Sequence, residues 1–303
     1  SISGPSWSSM LTGVWCDRHG VVDNTFEGSQ HDDIPDVIER IESNNQTSKT
    51  AAIMYWSGID EEILGKNTAD IQERYETDDE ISTRAIELLK EEEDLNLLFL
   101  NMDSPDNNGH EFGFSPDIPE YVDAVEAADD RVATILTALD ERNKSGEDWL
   151  VIITSDHGGG GKSIRAHSPS TLVDRTTFML VMGGDTVPKE ITNNPVVVDV
   201  AVTALTHMKI ALPTGENELD GRAAAFDPNA PLAREAHCIR PEKEESNAIY
   251  IVMSVLSSIV GVCIFGLYIY ASRIINRNKK TLQEMQSTQL ENVHSQDSPD
   301  HLT

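Results

Sequence analysis

Short, almost continuous apolar segments alternate with amphipathic helical segments along most of this chain. The strand candidates are residues 50–56, 96–102, 149–155 and 177–182. Strands that are apolar along their whole length are buried on both faces, which is typical of a parallel sheet covered by helices. The sequence therefore predicts an α/β domain with a mostly parallel sheet flanked by helices. In such domains, ligands bind at the carboxyl ends of the strands.

Helical periodicity is found between the strand candidates. It predicts a helix over residues 119–142, whose apolar positions recur at helical spacing. Residues 69–93 are predicted to be mostly helical and residues 197–207 fully so. A short helix is predicted over residues 5–14, since Pro5 stands at a favoured first-turn position.

The composition limits the partners of the chain. Its 52 acidic and 23 basic residues give a net charge of −29. Nothing in so acidic a chain replaces the counterions of a phosphate backbone, so we expect no binding to nucleic-acid polymers. Three cysteines are too few for a disulfide framework. Cys16 and Cys238 would pair in an extracellular domain, although their spacing alone does not establish this.

One segment near the C-terminus differs from the globular part. Residues 248–271 carry no charged side chain, and tyrosines lie near both ends. Basic residues follow this segment and acidic ones precede it. We therefore expect a single-pass type I membrane protein, its large domain extracellular or lumenal. The expected organisation is a catalytic domain over 1–226, a polar stalk over 227–247, a C-terminal transmembrane helix over 248–271 and a disordered cytosolic tail over 272–303.

Sequence signals for the secretory pathway point in two directions. Two sequons, which begin at Asn45 and Asn143, are consistent with a lumenal glycoprotein. The chain starts at a serine and carries no signal peptide, which a protein of this orientation needs. We therefore expect the sequence to be a fragment or a processed form.

Two acid–histidine pairs follow predicted strands. Asp106 and His110 follow the strand at 96–102, in a segment predicted to be a loop that turns tightly at Gly109. Asp156 and His157 directly follow the strand at 149–155. Carboxylate and imidazole together form a ligand set that suits zinc.

A third histidine and a glycine run follow the second pair. His167 lies within reach of the same edge of the sheet, and we expect it to be a ligand. The segment from Gly158 to Ser163 invites comparison with a phosphate-binding P-loop. That motif requires a glycine five positions before Gly161, where Asp156 stands, so the P-loop interpretation fails on spacing.

Ser3 lies beside the start of the predicted N-terminal helix, where backbone N–H groups and the helix dipole favour an anion. Coordination to a metal would lower the pKa of its hydroxyl and make it a nucleophile. The alternative is an N-cap serine without chemistry. Asn24 is placed to donate an amide hydrogen bond to a phosphoryl oxygen.

Read together, these segments resemble the alkaline phosphatase superfamily, and especially its type I phosphodiesterase/nucleotide pyrophosphatase branch. The resemblance spans roughly residues 1–226 and rests on four segments in the expected order: Ser3-Gly4-Pro5-Ser6-Trp7 with Leu11-Thr12-Gly13-Val14 and His19-Gly20-Val21-Val22-Asp23-Asn24; Ser104-Pro105-Asp106-Asn107-Asn108-Gly109-His110; Thr154-Ser155-Asp156-His157-Gly158-Gly159; and Leu219-Asp220-Gly221-Arg222.

The resemblance implies two zinc ions and a covalent nucleophile. It assigns Asp106, His110 and His167 to one ion, and Asp156, His157 and the nucleophile Ser3 to the other. The family carries a further aspartate ligand upstream of the nucleophile, on the first strand. We therefore expect one site to lack a ligand in this chain. The branch usually has threonine as nucleophile, and Ser3 is chemically equivalent.

The sequence thus predicts a membrane-anchored, zinc-dependent hydrolase of phosphate esters, acting on a small substrate of the phosphodiester or pyrophosphate type through a phosphoserine intermediate. A sulfatase of the same superfamily is the nearest alternative, because Ser3-Gly4-Pro5-Ser6 matches the sulfatase nucleophile motif. Trp7 stands where that motif has arginine. The remaining alternative is a catalytically inactive ectodomain with a binding role.

Overall fold

Three parallel strands form the central sheet of the computed structural model, in the order β2–β1–β3. They are β1 (Lys49–Met54), β2 (Ile71–Arg74) and β3 (Leu95–Asn101). The structure describes residues 2–44, 47–65, 68–169, 171–184, 186, 190–191, 194–223, 225–226 and 238. All of them belong to the first of the two units into which the chain divides, Ser1–Gly261.

Helices cover both faces of this sheet. Because side chains alternate along a strand, Ala52 and Met54 of β1 pack on one side while Ala51 and Ile53 pack on the other. The first side includes core residues of α1 (Ser3–Thr12), α3 (Val37–Asn44) and α8 (Asp199–His207), and the second those of α4 (Asp78–Glu91) and α6 (Pro119–Lys144). The α/β fold with a helix-flanked parallel sheet is therefore confirmed.

A second, two-stranded sheet departs from the predicted parallel arrangement. Its strands β4 (Leu150–Thr154) and β5 (Met179–Gly183) are antiparallel, with Ile152 opposite Val181. Parallel neighbours need a packed crossover, usually a helix. The only helix described between these two strands is the four-residue α7 (Leu172–Arg175), so the chain returns through a loop and reverses direction.

The predicted start of one helix was wrong, and one segment predicted to be a loop is a helix. The segment predicted to be mostly helical over 69–93 contains strand β2 before α4 begins. The Thr77 hydroxyl accepts a hydrogen bond from the Glu80 N–H, and this cap fixes the start of α4 at Asp78. The segment after β3 is helix α5 (Ser104–Glu111) rather than a loop.

The remaining elements are short. Helix α2 (Cys16–His19) follows α1, a π-helical turn spans Ile59–Ile63, and a 3₁₀ turn spans Gly215–Asn217. Cys16 forms a disulfide with Cys238, with a Cα–Cα distance of 5.4 Å. This answers the pairing question that spacing had left open.

The predicted stalk, transmembrane helix and cytosolic tail lie outside the described residues, except for Cys238. Within the described part of the chain, no helix combines the length and apolar character needed to cross a membrane.

Candidate active site

Ser3 is the first residue of α1, and Gly4 is buried beside it. The Gly4 N–H donates to Asn24 Oδ1 over 2.7 Å, so the Asn24 loop lies against the start of the helix. A Cβ at position 4 would come within 2.9 Å of the Asp23 carbonyl oxygen, which only glycine avoids. The structure thus places both predicted catalytic residues, Ser3 and Asn24, at the N-terminus of α1.

Asp106 and His110 lie one turn apart on α5. Residues at positions i and i+4 share a helix face, and Asp106 Oδ2 is 3.3 Å from His110 Nε2. The pair is therefore assembled by helical geometry and not by a tight turn at Gly109. His167 approaches the same pair, with its Nε2 3.1 Å from His110 Nε2 and 3.9 Å from Asp106 Oδ1.

Asp156 and His157 follow β4 directly. His157 Nε2 lies 3.4 Å from Asp156 Oδ2 and 3.2 Å from Ser3 Oγ. The His157 ring also stacks on the His167 ring at a centroid distance of 3.8 Å. The two predicted ligand groups, including the nucleophile, therefore adjoin each other at the carboxyl ends of β3 and β4.

One set of possible ligands extends across both groups. Asp106, His157 and His167 each offer one donor atom, and these atoms lie within 4.8 Å of one another. Asp106 Oδ1 is buried and has no hydrogen-bond partner among the described residues. A buried carboxylate oxygen without a donor is costly unless a cation neutralises it. The donor set and this orphaned oxygen fit a metal such as zinc.

Backbone carbonyls fix which ring nitrogen of two histidines faces the centre. His110 Nδ1 lies 3.0 Å from the Arg165 carbonyl oxygen, and His157 Nδ1 lies 3.0 Å from that of Gly158. A carbonyl only accepts, so Nδ1 carries the proton and Nε2 presents its lone pair. The Ser3 hydroxyl accordingly donates to His157 Nε2. This orientation is what metal-ligating histidines adopt.

Burial and charge set the protonation of the centre. Burial, followed by the neighbouring His167, lowers the pKa of His157 to about 3. His157 is therefore neutral at pH 7 and competent as a ligand. Burial raises the pKa of Asp156 to about 6. Burial also raises the pKa of Asp103 to about 7, and the charges of Asp106, Asp78 and Asp156 act in the same direction. So many carboxyl groups in one place favour a cation.

Phe114 packs against the centre. Its ring meets the rings of His110 and His167 edge-on, at centroid distances of 5.3 and 6.2 Å. A Cβ at Gly109 or Gly159 would come within 2.2 or 2.5 Å of that ring. These two glycines, one in each acid–histidine motif, therefore leave space for Phe114.

Sequence reasoning missed Asp103 and Asp174 as members of this region. Asp103 stands two residues beyond β3, beside a motif that drew attention to Asp106 instead. Asp174 ends a Thr171-x-x-Asp174 motif, which signals only a helix start. No sequence signal shows that its carboxylate supports the loop carrying His157 and His167.

Known proteins resemble this chain in sequence and in fold. Residues 1–187 match the family described as type I phosphodiesterase / nucleotide pyrophosphatase. The rat ectonucleotide pyrophosphatase/phosphodiesterase family member 7 is 25% identical over 179 residues, which are 52% of this chain and 40% of that protein. The chain thus spans well under half the length of this curated relative.

Two solved structures share the fold. One is a protein in complex with its substrate D-glucosamine-2-N,6-O-disulfate, with TM-score 0.55, 13% identity and coverage of 74% of this chain and 70% of that one. The other is a 2-O glycosaminoglycan sulfatase, with TM-score 0.51, 14% identity and coverage of 71% and 62%. At such low identity these likenesses speak for the fold alone.

A helix-flanked parallel sheet that brings a serine, acids and histidines to its carboxyl edge defines the alkaline phosphatase superfamily as the class of this protein. Within that class, the match over residues 1–187 covers more than half of the 303-residue chain. The chain belongs to the type I phosphodiesterase / nucleotide pyrophosphatase family, as the sequence motifs predicted.

Proposed function

We propose that this protein is a zinc-dependent hydrolase of phosphate esters, of the phosphodiester or pyrophosphate type, with Ser3 as the covalent nucleophile. One observation carries the proposal. Ser3 Oγ, at the N-terminus of α1, lies 3.2 Å from His157 Nε2, and His157 belongs to the ligand cluster with Asp106 and His167.

Ser3, the start of α1 and Asn24 have different roles in the proposed reaction. Ser3 Oγ attacks phosphorus, forms the serine phosphoester and releases the leaving group. The positive end of the α1 dipole and the Asn24 side-chain N–H, whose amide oxygen is held by the Gly4 N–H, stabilise the negative charge of the phosphoryl oxygens. Water then cleaves the phosphoserine. The family relationship and the nucleophile's position support this sequence of steps.

Six side chains would hold or adjoin the zinc ions in this proposal. Asp106, His110 and His167 would hold one ion, while Asp156 and His157 would hold the other beside Ser3. Zinc, when bound, supplies Lewis acidity that lowers the pKa of a coordinated hydroxyl and neutralises developing charge. The buried Asp106 Oδ1 and the carbonyl-fixed histidines support a metal at this centre, and the division between two ions follows from the family relationship.

Replacing the nucleophile tests the proposal. We expect Ser3→Ala in the full-length protein to abolish turnover while leaving zinc content unchanged, and Ser3→Thr to retain activity because it keeps the hydroxyl. Ser8→Ala is the matched control, since Ser8 lies in the same helix and its buried hydroxyl has no hydrogen-bond partner among the described residues. Full activity in Ser3→Ala would refute the nucleophile assignment.

The class of ester is tested by substrates that share one chromophore. Nitrophenyl phosphate, its phosphodiester, a nitrophenyl nucleotide ester and nitrophenyl sulfate report monoesterase, diesterase, nucleotide and sulfatase activity in turn. We expect the diester and the nucleotide ester to be preferred. Trp7, which replaces the arginine of the sulfatase motif, packs edge-on against Phe99 at 5.9 Å and so belongs to the core. Preference for the sulfate would favour the sulfatase alternative.

We also propose that the domain faces the extracellular space or a lumen as part of a single-pass type I membrane protein. The Cys16–Cys238 disulfide supports an oxidising compartment. The sequon at Asn143 is exposed near the end of α6, where an oligosaccharyltransferase reaches it. We expect the domain to be protected from protease in sealed microsomes, and we expect a glycosidase-sensitive mass shift that is smaller in Asn143→Gln than in the wild type.

A further inference from the structure

A single buried carboxylate holds together the loop that follows His157. Asp174 in α7 is 0% exposed. Its Oδ1 accepts from the Gly161 N–H over 2.9 Å, and its Oδ2 accepts from the Ser168 N–H over 3.0 Å. Its backbone carbonyl accepts from the Gly158 N–H over 3.0 Å. One residue thus fixes the beginning, the middle and the end of the loop 158–169.

That loop carries groups which orient three histidines. Its Gly158 carbonyl accepts from His157 Nδ1, and its Arg165 carbonyl accepts from His110 Nδ1. His167 is itself part of the loop and precedes Ser168, whose N–H donates to Asp174. The position of every candidate histidine ligand therefore depends on the conformation of this loop.

The packing of the loop on α7 leaves little freedom. A Cβ at Gly158 would come within 2.3 Å of the Val173 carbonyl oxygen, and one at Gly161 within 2.9 Å of Asp174 Oδ1. The Thr171 hydroxyl accepts from the Asp174 N–H over 3.1 Å and caps α7. The glycines permit this close approach and the hydrogen bonds of Asp174 maintain it.

We propose that Asp174 is a positioning residue that sets the affinity of the site for zinc. It does so by holding the rings of His110, His157 and His167 in the relative positions that a zinc site needs. It acts through the loop and contacts none of the three rings through a described hydrogen bond. This inference rests on the proposed zinc site and extends it to a residue outside the ligand set. Groups that orient metal ligands typically change metal affinity by about 10- to 100-fold when they are lost.

Asp199 offers a matched control. It is also 0% exposed, and each of its oxygens accepts one backbone N–H, from Arg222 over 2.8 Å and from Val196 over 3.0 Å. It begins α8. Ala201 of that helix lies beside Gly13, just beyond the C-terminus of α1, where a Cβ built on Gly13 would be 3.4 Å from the Ala201 Cβ. Ser3 begins α1, so about 15 Å of helix separates the control region from the active site.

The experiment measures zinc affinity by competition with a chromophoric chelator for the wild type, Asp174→Asn and Asp199→Asn. An amide in place of the carboxylate puts an N–H donor against one backbone N–H. We expect zinc affinity about 10- to 100-fold lower in Asp174→Asn. We expect it unchanged within about twofold in Asp199→Asn, whose site is distant, although both variants lose stability.

Two further readouts separate positioning from general destabilisation. We expect excess zinc to restore kcat in Asp174→Asn, and cobalt-substituted protein to show an altered visible spectrum in Asp174→Asn alone. Thr171→Ala, which removes only the cap on the Asp174 N–H, should show a smaller loss of affinity in the same direction. It serves as the test if Asp174→Asn does not fold.

The outcomes distinguish this inference from the function on which it rests. A wild type that binds zinc while Asp174→Asn or, failing that, Thr171→Ala binds it equally well overturns the positioning role and leaves the zinc hydrolase intact. Equal losses in Asp174→Asn and Asp199→Asn also overturn it. A wild type that takes up no zinc overturns the proposed function, and the role of Asp174 falls with it.

Discussion

The two acid–histidine pairs have the same chemical composition but are built in different ways. Asp106 and His110 share a face of α5, and their side chains are 33% and 44% exposed. Asp156 and His157 are adjacent at the end of β4, and their side chains are 16% and 4% exposed. Helical geometry alone sets the spacing of the first pair, although the Arg165 carbonyl and Phe114 also contact His110, whereas the second pair is enclosed by the loop 158–169 and α7. Equal motifs in a sequence can thus depend on tertiary structure to very different degrees.

The largest difference should appear when one histidine of each pair is removed. We expect His157→Ala to lower kcat/KM by more than about 100-fold, and His110→Ala by about 10- to 100-fold. His157 contacts Ser3 and belongs to the buried ligand cluster, while water can replace the exposed His110 as a ligand. Steady-state kinetics with the preferred ester measure both. His207→Ala, at the end of α8, should leave activity unchanged.

Equal losses for the two histidine variants would remove the distinction. A larger loss for His110→Ala would reverse it and would point to the α5 pair as the chemically essential one.

A smaller effect should come from the packing around the buried pair. We expect Gly159→Ala to lower activity by between several-fold and about 100-fold. The new Cβ would come within 2.5 Å of the Phe114 ring and displace that ring from His167. In a Phe114→Ala background the space is free, and Gly159→Ala should cost nothing further. A double-mutant cycle on kcat/KM and zinc affinity measures this coupling. Additive effects would show that the ring does not mediate the loss.

The smallest effect concerns stability and separates buried from exposed histidines. His19 is 0% exposed; its Nδ1 accepts from the Val21 N–H over 3.1 Å, so Nε2 donates to Ser9 Oγ over 2.9 Å. Burial and, to a smaller extent, the nearby His31 lower the pKa of His19 to about 3. Below pH 6.5, His19 is protonated in the unfolded state but stays neutral in the folded state.

The stability due to neutral His19 is therefore complete above pH 6.5 and is lost as the pH falls toward 3. Its contribution to the free energy of unfolding should fall by about 1.4 kcal/mol for each pH unit. Urea unfolding between pH 7 and 5 should show a shallower dependence for His19→Asn than for wild type. Parallel curves would mean that His19 titrates alike in both states.

The sequence predicted the central fold well because strand β1 is apolar from Ala51 to Met54 and buried on both faces. It misjudged α5, since Asn107, Asn108 and Gly109 favour turns by local propensity, and packing of that helix against α6 overrides the preference. It also missed β2, whose short sequence carries two charged residues and is defined by pairing with β1. Local pattern recognises buried strands more readily than helices stabilised by tertiary contact.

The candidate site was predicted to a similar extent. The residue types and spacings around Asp106 and His157 indicated a metal site, and the structure brings possible ligand atoms of Asp106, His157 and His167 within 4.8 Å of one another. Asp174 and Phe114 were not predictable in their roles, because each acts through contacts with segments distant in sequence. From the sequence alone, the glycine run after His157 invites only a comparison with a P-loop, whereas the structure shows which neighbours pack against these glycines.

The Cys16–Cys238 disulfide has a mechanical consequence. It links α2, immediately after the helix that carries Ser3, to a residue 222 positions further along the chain. A pull applied beyond Cys238 is transmitted through this covalent bond to α2. The chain between the two cysteines, which holds the sheet and every candidate ligand except Ser3, forms a closed ring that a pull cannot extend to full length until the bond is reduced. The covalent path from Cys238 therefore leads to the segment that carries Ser3 without passing through the metal ligands.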